Sequence, residues 1–274
     1  MGDVHGAYKC LLQCLERSGF DYGQDRLIQL GDVVDGYPES YECVEKLLKI
    51  PNLVAIRGNH DDWIYEFCKT GYHPARWAYG GIATLKSYFQ HCNRKKAIIP
   101  SGSGFKTSLN PEDIPAAHKK FFVRQQLYFI DDEGRCFVHG GFDRFHPFAH
   151  QRAATYFWDR DLWDAALAWL LKEKLRPGQA TFEIRTHFHE IFIGHTPTTY
   201  WKLDVPMNAA HIYNCDTGAG STGRLTIMNV GTKKYWQSDP VQTLYSETPQ
   251  STTHNGSASS RLLIAPPLNH PFLP

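Results

Sequence analysis

The chain has 274 residues and carries 29 Lys and Arg against 28 Asp and Glu, a formal net charge of +1, with 42% hydrophobic residues. This composition indicates a globular protein of one large or two small domains rather than a disordered or fibrous chain. A nearly neutral chain has no overall field that would attract nucleic acid, so we expect no nucleic-acid partner and only local recognition of phosphate.

Helix-like and strand-like segments alternate in the first third of the chain. Residues 7–17 and 40–50 place apolar side chains on one helical face, and residues 26–30 and 53–56 have the pattern of short buried strands. Alternation with short connections is typical of βαβ units, so we predict an α/β fold with a largely parallel sheet. Ligands of open α/β sheets bind at the carboxyl ends of the strands, and polar clusters follow both of these strands.

The rest of the chain is predicted to hold an insertion, a β-rich half and a tail. Residues from about 74 to 115 lose periodicity and become aromatic and basic, which indicates helical insertions that form a cap. Strand, hairpin and helix patterns then follow at 126–130 with 135–138, 162–174, 191–193, 211–213, and 225–230 with 233–236. We expect one domain over residues 1–242 and a disordered, Ser-, Thr- and Pro-rich tail over 243–274.

The cysteines and apolar runs indicate a cellular compartment. No apolar run reaches about 18 residues and the N-terminus lacks a signal pattern, so we expect no membrane span and no secretion. The seven cysteines are scattered without a Cys-x-x-Cys pair, which favours reduced, mostly buried thiols over disulfides or a cysteine-ligated zinc. These features together predict a cytoplasmic protein.

Five short motifs rich in Gly, Asp, Asn and His stand at the ends of predicted strands. Each motif alone is more often a helix cap or a loop, but together they bring oxygen and imidazole ligands to one sheet edge, with glycines that allow close backbone approach. The motifs are Gly2-Asp3-Val4-His5-Gly6, Gly31-Asp32-Val33-Val34-Asp35-Gly36, Arg57-Gly58-Asn59-His60-Asp61, Val138-His139-Gly140-Gly141 and Gly194-His195-Thr196-Pro197.

The ligand types predict a pair of divalent metal ions. Carboxylate, amide and imidazole suit Mn²⁺ best, with Fe or Zn²⁺ as alternatives. Two such ions can share a carboxylate, activate a water between them and hold phosphate oxygens. His60 and Asp35 remain for acid catalysis, because a carboxylate on one imidazole nitrogen fixes the tautomer of a histidine that protonates the leaving group. The predicted metal ligands are Asp3, His5, Asp32, Asn59, His139 and His195.

In motif order and spacing, the sequence resembles the calcineurin-like metallophosphoesterase superfamily, and within it the bacterial and phage branch of the phosphoprotein phosphatases. The resemblance implies a four-layer α/β/β/α sandwich with a small helical cap and hydrolysis of phosphate monoesters, either phosphoserine and phosphothreonine in proteins or small phosphate esters. It implies a first metal on Asp3, His5 and Asp32, and His60 as the general acid, oriented by Asp35. The implied second metal is held by Asp32, Asn59, His139 and His195.

Two phosphate-binding arginines are implied by the same resemblance, and this chain retains one of them. Trp158-Asp159-Arg160 matches the branch's Trp-x-Arg, so Arg160 is the implied phosphate ligand. The branch's Asp-Arg-Gly is replaced by Asp35-Gly36, so either Arg160 binds phosphate alone or Arg57, Arg76 or a basic cap residue substitutes for the missing arginine. For Arg57 itself we expect a structural role.

The start of the chain is the second departure from the branch. The family's first metal ligand ends a central apolar strand, whereas only Met1 and Gly2 precede Asp3. We therefore expect a truncated first strand and a native start upstream of Met1.

Two further interpretations stay open at this stage. A hydrolase of dinucleoside polyphosphates such as diadenosine tetraphosphate shares several of these motifs, and Trp77 and Tyr79 of the cap would then stack an adenine, although packing in the core is the more frequent role of such residues. The second interpretation is a non-catalytic binding module that keeps the fold. The presence of both His60 and Asp35 counts against it.

Overall fold

The computed structural model describes residues 1–93, 95–102 and 104–246. Its α-helices are α1 (Tyr8–Ser18), α2 (Ser40–Leu47), α3 (Asn59–Thr70), α4 (Gly81–Phe89), α5 (Ala116–Arg124), α6 (Ala153–Trp158), α7 (Asp161–Leu175) and α8 (Val241–Leu244). None of these helices is long and apolar enough to cross a bilayer.

The β-strands are short and separated by loops. They are β1 (Leu27–Gln29), β2 (Leu53–Ala55), β3 (Ile98–Ser101), β4 (Gly104–Thr107), β5 (Tyr128–Ile130), β6 (Arg135–Val138), β7 (Glu190–Ile193), β8 (Met207–Ala209), β9 (Ile212–Asn214), β10 (Thr226–Met228) and β11 (Tyr235–Gln237).

The first sheet joins segments that are far apart in sequence. β1 pairs in parallel with β2, as predicted from the alternation of helix and strand, and β10 pairs with β11 in the predicted hairpin. Met1 and Gly2 lie between these two pairs. The Met1 amino group donates to Ile28 O at 2.8 Å, Leu30 N donates to Met1 O, and Gly2 N donates to Thr226 O at 3.0 Å. Met1 and Gly2 therefore bond on both sides like residues of a strand.

The second sheet has the order β5-β6-β7-β9-β8. Its three central strands β6, β7 and β9 run in parallel, while β5 and β8 pair antiparallel at the edges. The predicted hairpin of residues 126–130 with 135–138 is confirmed by the pairing of β5 with β6. The carboxyl ends of the parallel strands point to one edge of the sheet, so the loops that follow them lie together.

Three apolar clusters define the four layers of a sandwich. Leu11 of α1 and Val44 of α2 are buried on the outer face of the first sheet. Phe137 and Phe192 stack between the two sheets, with ring centroids 5.0 Å apart. Trp163 of α7 is buried against the outer face of the second sheet. The predicted α/β/β/α sandwich is confirmed by this layering.

The predicted insertion at about 74–115 contains a 3-10 turn over Ala75–Ala78, helix α4 and the β-hairpin of β3 with β4. The hairpin departs from the expectation of helical insertions alone. Its strands lack a clear alternation of apolar and polar side chains, and Pro100 stands within β3, so the sequence carries little strand signal there. The turn and α4 pack against the loop that follows β1.

The C-terminal helix α8 lies across α1. Tyr245 is buried, its hydroxyl bonds the Glu39 carboxylate and accepts from Lys9 N, and Lys9 Nζ donates to Leu244 O at 2.8 Å. Packed structure thus continues past the predicted domain boundary at residue 242, because the tyrosine fills a site between α1 and the start of α2. The predicted disordered tail otherwise falls on residues 247–274, which lie outside the described residues.

Candidate metal centre and active site

Five loops at the carboxyl ends of the strands meet at the same edge of the sandwich. Asp3 follows the paired Met1 and Gly2, Asp32 follows β1, and Asn59 begins α3 after β2. His139 and His195 follow β6 and β7. Because these strands run in the same direction within their sheets, residues far apart in sequence lie side by side.

The six predicted metal ligands lie in one buried cluster around Asp32. The Asp32 Oδ2 atom lies 3.3 Å from His139 Nε2 and 3.8 Å from His5 Nε2. His5 Nε2 lies 4.0 Å from Asp3 Oδ2, and His139 Nε2 lies 3.2 Å from Asn59 Oδ1. His195 joins the cluster through its backbone N–H, which donates to Asp3 Oδ2 at 3.0 Å.

Two groups of ligand atoms in this cluster have the spacing of a metal site. His5, Asp32 and His60 form one group, and Asp32, His139 and His195 form the other, with the ligand atoms of each group within 4.8 Å of one another. Asp32 belongs to both groups. A carboxylate shared in this way is suited to bridging two ions.

The donor set has the properties that bound cations require. Asp3 Oδ1 and His195 Nε2 are buried and have no hydrogen-bond partner among the described residues, which is costly unless a cation satisfies them. His139 Nδ1 donates to Leu30 O at 2.7 Å, which leaves Nε2, 3.3 Å from Asp32 Oδ2, as the nitrogen that would bind a metal ion. This arrangement is the usual way in which a protein fixes the tautomer of a metal-binding histidine.

The electrostatics of the cluster also favour positive charge. Burial lowers the pKa of His5 to about 4 and holds the pKa of His195 well below its ordinary value, so both imidazoles stay neutral, as a metal ligand must. Burial acts in the same direction on His139, but the carboxylates of Asp32 and Asp3 outweigh it and raise the pKa of His139 to about 10. The negative charge of these carboxylates, which stabilises a proton on His139, would also attract divalent cations.

Backbone conformation in these loops is unusual. His5, Asp32, Asp35 and His195 all have positive φ angles, between 50° and 70°. The left-handed region is uncommon for residues other than glycine and is concentrated at functional sites, where the surrounding structure holds the backbone. The loops are therefore shaped to direct these side chains into the cluster.

His60 and Asp35 form a hydrogen-bonded pair beside the cluster. His60 Nδ1 lies 2.8 Å from Asp35 Oδ2, and the His60 and His5 rings meet edge to face with centroids 4.9 Å apart. Burial acts to lower the pKa of His60, but the neighbouring carboxylates of Asp32 and Asp35 raise it above its ordinary value. A histidine that holds its proton next to the cluster has the geometry of a proton donor.

The other oxygen of Asp35 accepts hydrogen bonds from two residues of the insertion, and no sequence pattern predicts either contact. Thr84 Oγ1 donates to Asp35 Oδ1 at 2.5 Å, and Trp77 Nε1 donates to the same oxygen at 3.1 Å. Trp77 is fully buried, so it is not available to stack an adenine. Tyr79, the other aromatic residue considered for that role, is 74% exposed.

Asp61 connects two of the ligand loops. Its Oδ1 accepts from Val33 N at 2.9 Å, and its Oδ2 accepts from Gly58 N at 3.2 Å and from Gln125 Nε2 at 2.8 Å. The sequence places Asp61 in the third motif without assigning it a role. In the structure it fixes the loop after β1 against the loop after β2, which sets the separation of the ligands that each loop carries.

Among the candidate phosphate-binding arginines, Arg160 lies beside the cluster. Its Nη1 atom donates to Thr196 Oγ1 at 2.7 Å and to His195 O at 3.2 Å. Arg57 is engaged elsewhere, because its guanidinium stacks on Tyr65 with 3.9 Å to the ring centroid and donates to Phe122 O at 2.8 Å.

Two tryptophans separate the cluster from solvent. The Trp158 ring lies edge to face with His195 at 5.8 Å, and the Trp63 ring lies 4.6 Å from His60. The Arg76 guanidinium lies 5.8 Å from the Trp158 ring centroid. Trp158 is 37% exposed, so its side chain lies at the rim of the site.

Comparison with known proteins agrees with this arrangement. The model of the calcineurin-like phosphoesterase family matches residues 1–199. The chain belongs to this family. Its members are hydrolases with a dinuclear divalent metal centre, and the two groups of ligand atoms that share Asp32 could hold such a centre.

The relatives of this phosphoesterase include proteins named as protein phosphatases and proteins named as dinucleoside tetraphosphatases. Serine/threonine-protein phosphatase 1 of Salmonella typhimurium is 28% identical over 232 residues, which cover 84% of this chain and 90% of that protein. A symmetrical bis(5'-nucleosyl)-tetraphosphatase of Pseudomonas fluorescens is 42% identical, but over 62 residues that cover 22% of each chain. The solved structure of a metallophosphoesterase from Sphaerobacter thermophilus has a TM-score of 0.50 at 18% identity, covers 90% of this chain and 92% of its own, and shows the shared fold.

The close packing at Gly194 gives a test of the phosphoesterase's metal centre. A Cβ at this position would lie 2.1 Å from Asp3 Oδ1, so Gly194→Ala must displace that carboxylate. We expect a loss of stability of about 1–3 kcal/mol and Mn²⁺ affinity lower by about 10- to 100-fold, measured by thermal denaturation and by titration calorimetry.

The matched control is Gly104→Ala in β4, where an added Cβ meets Ala75 Cα at an ordinary 3.5 Å. We expect its Mn²⁺ affinity to equal that of the unmodified protein. Wild-type affinity in the Gly194 variant would contradict a ligand role for Asp3.

Proposed function

We propose that this protein is a metal-dependent phosphomonoesterase that hydrolyses phosphoserine and phosphothreonine in proteins or peptides. One observation carries the proposal: the carboxylate, amide and imidazole donors clustered around Asp32 lie directly beside the hydrogen-bonded His60 and Asp35. Metal ligands alone would suit a storage or structural site. A proton donor placed next to them is what hydrolysis of an ester requires.

The proposal assigns each ligand to an ion. Asp3, His5 and Asp32 hold the first divalent ion, and the second is held by Asp32, Asn59, His139 and His195. We propose Mn²⁺ as the ion at both sites, because mixed carboxylate, amide and imidazole donors suit it. When bound, the two ions supply an activated water nucleophile and neutralise the charge of the phosphate.

The chain's own side chains then bind the phosphate and move a proton. Arg160, beside His195, donates from its guanidinium to phosphate oxygens, which that group binds in a bidentate manner. His60 keeps its Nδ1 proton on Asp35 and gives its Nε2 proton to the oxygen of the departing serine or threonine. Trp63 and Trp158 limit the access of solvent water to this transfer.

The relatives support a phosphoprotein substrate. The match to the serine/threonine-protein phosphatase extends over most of both chains, whereas the match to the tetraphosphatase covers 22% of each. The second candidate is nevertheless specific: a dinucleoside polyphosphate such as diadenosine tetraphosphate could be cleaved at the same centre, and the exposed Tyr79 near the site offers a ring for a base.

A substrate panel tests these alternatives. Protein reconstituted with Mn²⁺ is assayed with a phosphoserine peptide, p-nitrophenyl phosphate and diadenosine tetraphosphate, before and after removal of metal with a chelator. We expect Mn²⁺-dependent turnover of the peptide, with kcat/KM at least about 10-fold above that for diadenosine tetraphosphate, a difference in transition-state stabilisation of about 1.4 kcal/mol.

The opposite ranking would establish the dinucleoside polyphosphate as the preferred substrate and refute the proposed one. Protein that binds Mn²⁺ but turns over none of the three substrates would favour the non-catalytic binding module. An Asp32→Asn sample purified in parallel measures any contaminating phosphatase.

A further inference from the structure

The insertion is in direct contact with the proposed proton donor. Asp35 Oδ1 accepts from Thr84 Oγ1 and Trp77 Nε1, and Asp35 N donates to Thr84 Oγ1 at 2.9 Å. Gly36 N donates to Gly80 O at 3.3 Å. The backbone and the side chain of the loop after β1 are therefore both held by a segment 42 to 49 residues further along the chain.

We propose that Trp77 and Thr84 are positioning residues for proton transfer by His60. They occupy one carboxylate oxygen of Asp35 and thereby direct the other oxygen to His60 Nδ1. This inference rests on the proposed function, since it concerns the acid step of that reaction.

Asp35 has little freedom once these two donors are in place. A carboxylate can rotate about its terminal torsion, and that torsion is broad and roughly two-fold. Two donors on Oδ1 fix the plane of the group, so Oδ2 stays 2.8 Å from His60 Nδ1. Without them Asp35 could turn toward other donors and leave the His60 ring free to tilt.

Both donors are themselves held by packing. Trp77 lies among the rings of Phe67 and His73, with centroid distances of 5.3 and 4.8 Å. The position of the Trp77 ring requires glycine at residue 81, because a Cβ there would lie 2.3 Å from Trp77 Cδ1. Thr84 is fully buried and its hydroxyl also meets Ser40 Oγ at 3.1 Å.

The chemical step shows what this arrangement controls. As the water oxygen bonds to phosphorus, the bond from phosphorus to the serine oxygen breaks and its electron pair stays on that oxygen, while the protons of the water remain with the phosphate product. The oxygen takes the Nε2 proton of cationic His60, which becomes neutral and keeps its Nδ1 proton on Asp35. A tilted ring would place Nε2 out of line with the departing oxygen, and misplacement on the ångström scale is costly in such a transfer.

The requirement for a proton donor depends on the leaving group, which gives the test. An alkoxide from phosphoserine is strongly basic and needs the proton, whereas p-nitrophenolate is weakly basic and departs without it. We expect Trp77→Phe and Thr84→Val to lower kcat on a phosphoserine peptide by about 10-fold and kcat on p-nitrophenyl phosphate by less than about twofold. KM and Mn²⁺ affinity should remain unchanged in both variants.

Two further variants separate positioning from a general loss of packing. Ser87→Ala removes a hydroxyl one turn later on α4, where Ser87 Oγ accepts from Tyr41 N and contacts Glu42 rather than Asp35; its ratio of the two activities should equal that of the unmodified protein. Thr84→Ser keeps the hydroxyl and is expected to preserve the ratio as well.

The outcomes distinguish this inference from the proposed function. Equal loss of both activities in Trp77→Phe and Thr84→Val would show a structural role and overturn the inference. If His60→Asn lowers peptide turnover selectively while Thr84→Val does not, the acid role stands and the positioning role fails. If His60→Asn leaves both activities intact, the proposed acid is wrong. Thr84→Val removes only one hydroxyl, so it decides the question even if Trp77→Phe does not fold.

Discussion

Replacing His60 with asparagine is expected to lower kcat on a phosphoserine peptide by about 10²- to 10⁴-fold, the usual contribution of a general acid. His60 Nδ1 lies 2.8 Å from Asp35 Oδ2, and the His60 ring contacts the His5 ring. The substitution therefore removes the proton donor and leaves the six proposed metal ligands in place. The His60 backbone N–H, which donates to Asp32 Oδ1 at 2.9 Å, is kept by the substitution. Mn²⁺ content and affinity should therefore stay close to those of the unmodified protein.

Steady-state kinetics on the peptide and on p-nitrophenyl phosphate, with metal content measured on the same samples, test this expectation. The matched control is His91→Asn, since His91 lies at the surface and bonds Glu42 at 2.9 Å, away from the cluster. A His60 variant that keeps peptide turnover within about threefold, a change of less than 1 kcal/mol, would refute the acid role. A variant that loses its metal would instead assign His60 to the ligand set.

Replacing Asp32 with asparagine is expected to have the larger effect on the metal centre. Asp32 is the residue common to both groups of ligand atoms, so the substitution removes one negative charge from two sites at once. Loss of a group that only hydrogen-bonds to a metal ligand lowers metal affinity by about 10- to 100-fold, and we expect the loss of a shared ligand to exceed this range. Turnover should fall to the level of metal-free protein.

Thermal denaturation with and without Mn²⁺ provides an independent measurement. A ligand at 100 times its Kd stabilises the folded state by about 2.7 kcal/mol, which corresponds to a rise in Tm of several degrees for a domain of this size. We expect that rise in the unmodified protein and in Asp132→Asn, an exposed site in the β5–β6 turn, but not in Asp32→Asn. A full Mn²⁺-dependent rise in the Asp32 variant would contradict the shared-ligand assignment.

The ligand cluster could be predicted from sequence because each of its motifs is recognisable within a few consecutive residues. Each motif joins a short apolar strand to a polar loop with glycine, and the carboxyl ends of parallel strands meet at one edge. Asp32, after β1 of the first sheet, and His139, after β6 of the second, lie 3.3 Å apart. The pairing of His60 with Asp35 is instead expected from the chemistry of a carboxylate bound to an imidazole and from the family resemblance, and the two side chains lie 2.8 Å apart.

The role of the insertion could not be predicted in this way. Trp77 and Thr84 have no periodic context that links them to Asp35, and a buried tryptophan is usually explained by packing alone. The contact depends on how a 3-10 turn and a short helix fold back over the β1 loop, which is tertiary information. Arg57, by contrast, is expected from sequence to have a structural role, and its guanidinium stacks on Tyr65.

The pairing of distant segments in the first sheet bears on the order in which the protein assembles. Gly2 bonds to Thr226, and Asp3 bonds to the backbone of His195, 192 residues away. Contacts of such separation form late and slow folding, because a long loop must close before they contribute. On the ribosome, a nascent chain that has released β1 and β2 still lacks half of the ligands. High-affinity metal capture thus belongs to the last stage of folding, and metal added to refolding protein should act on its yield rather than on its first steps.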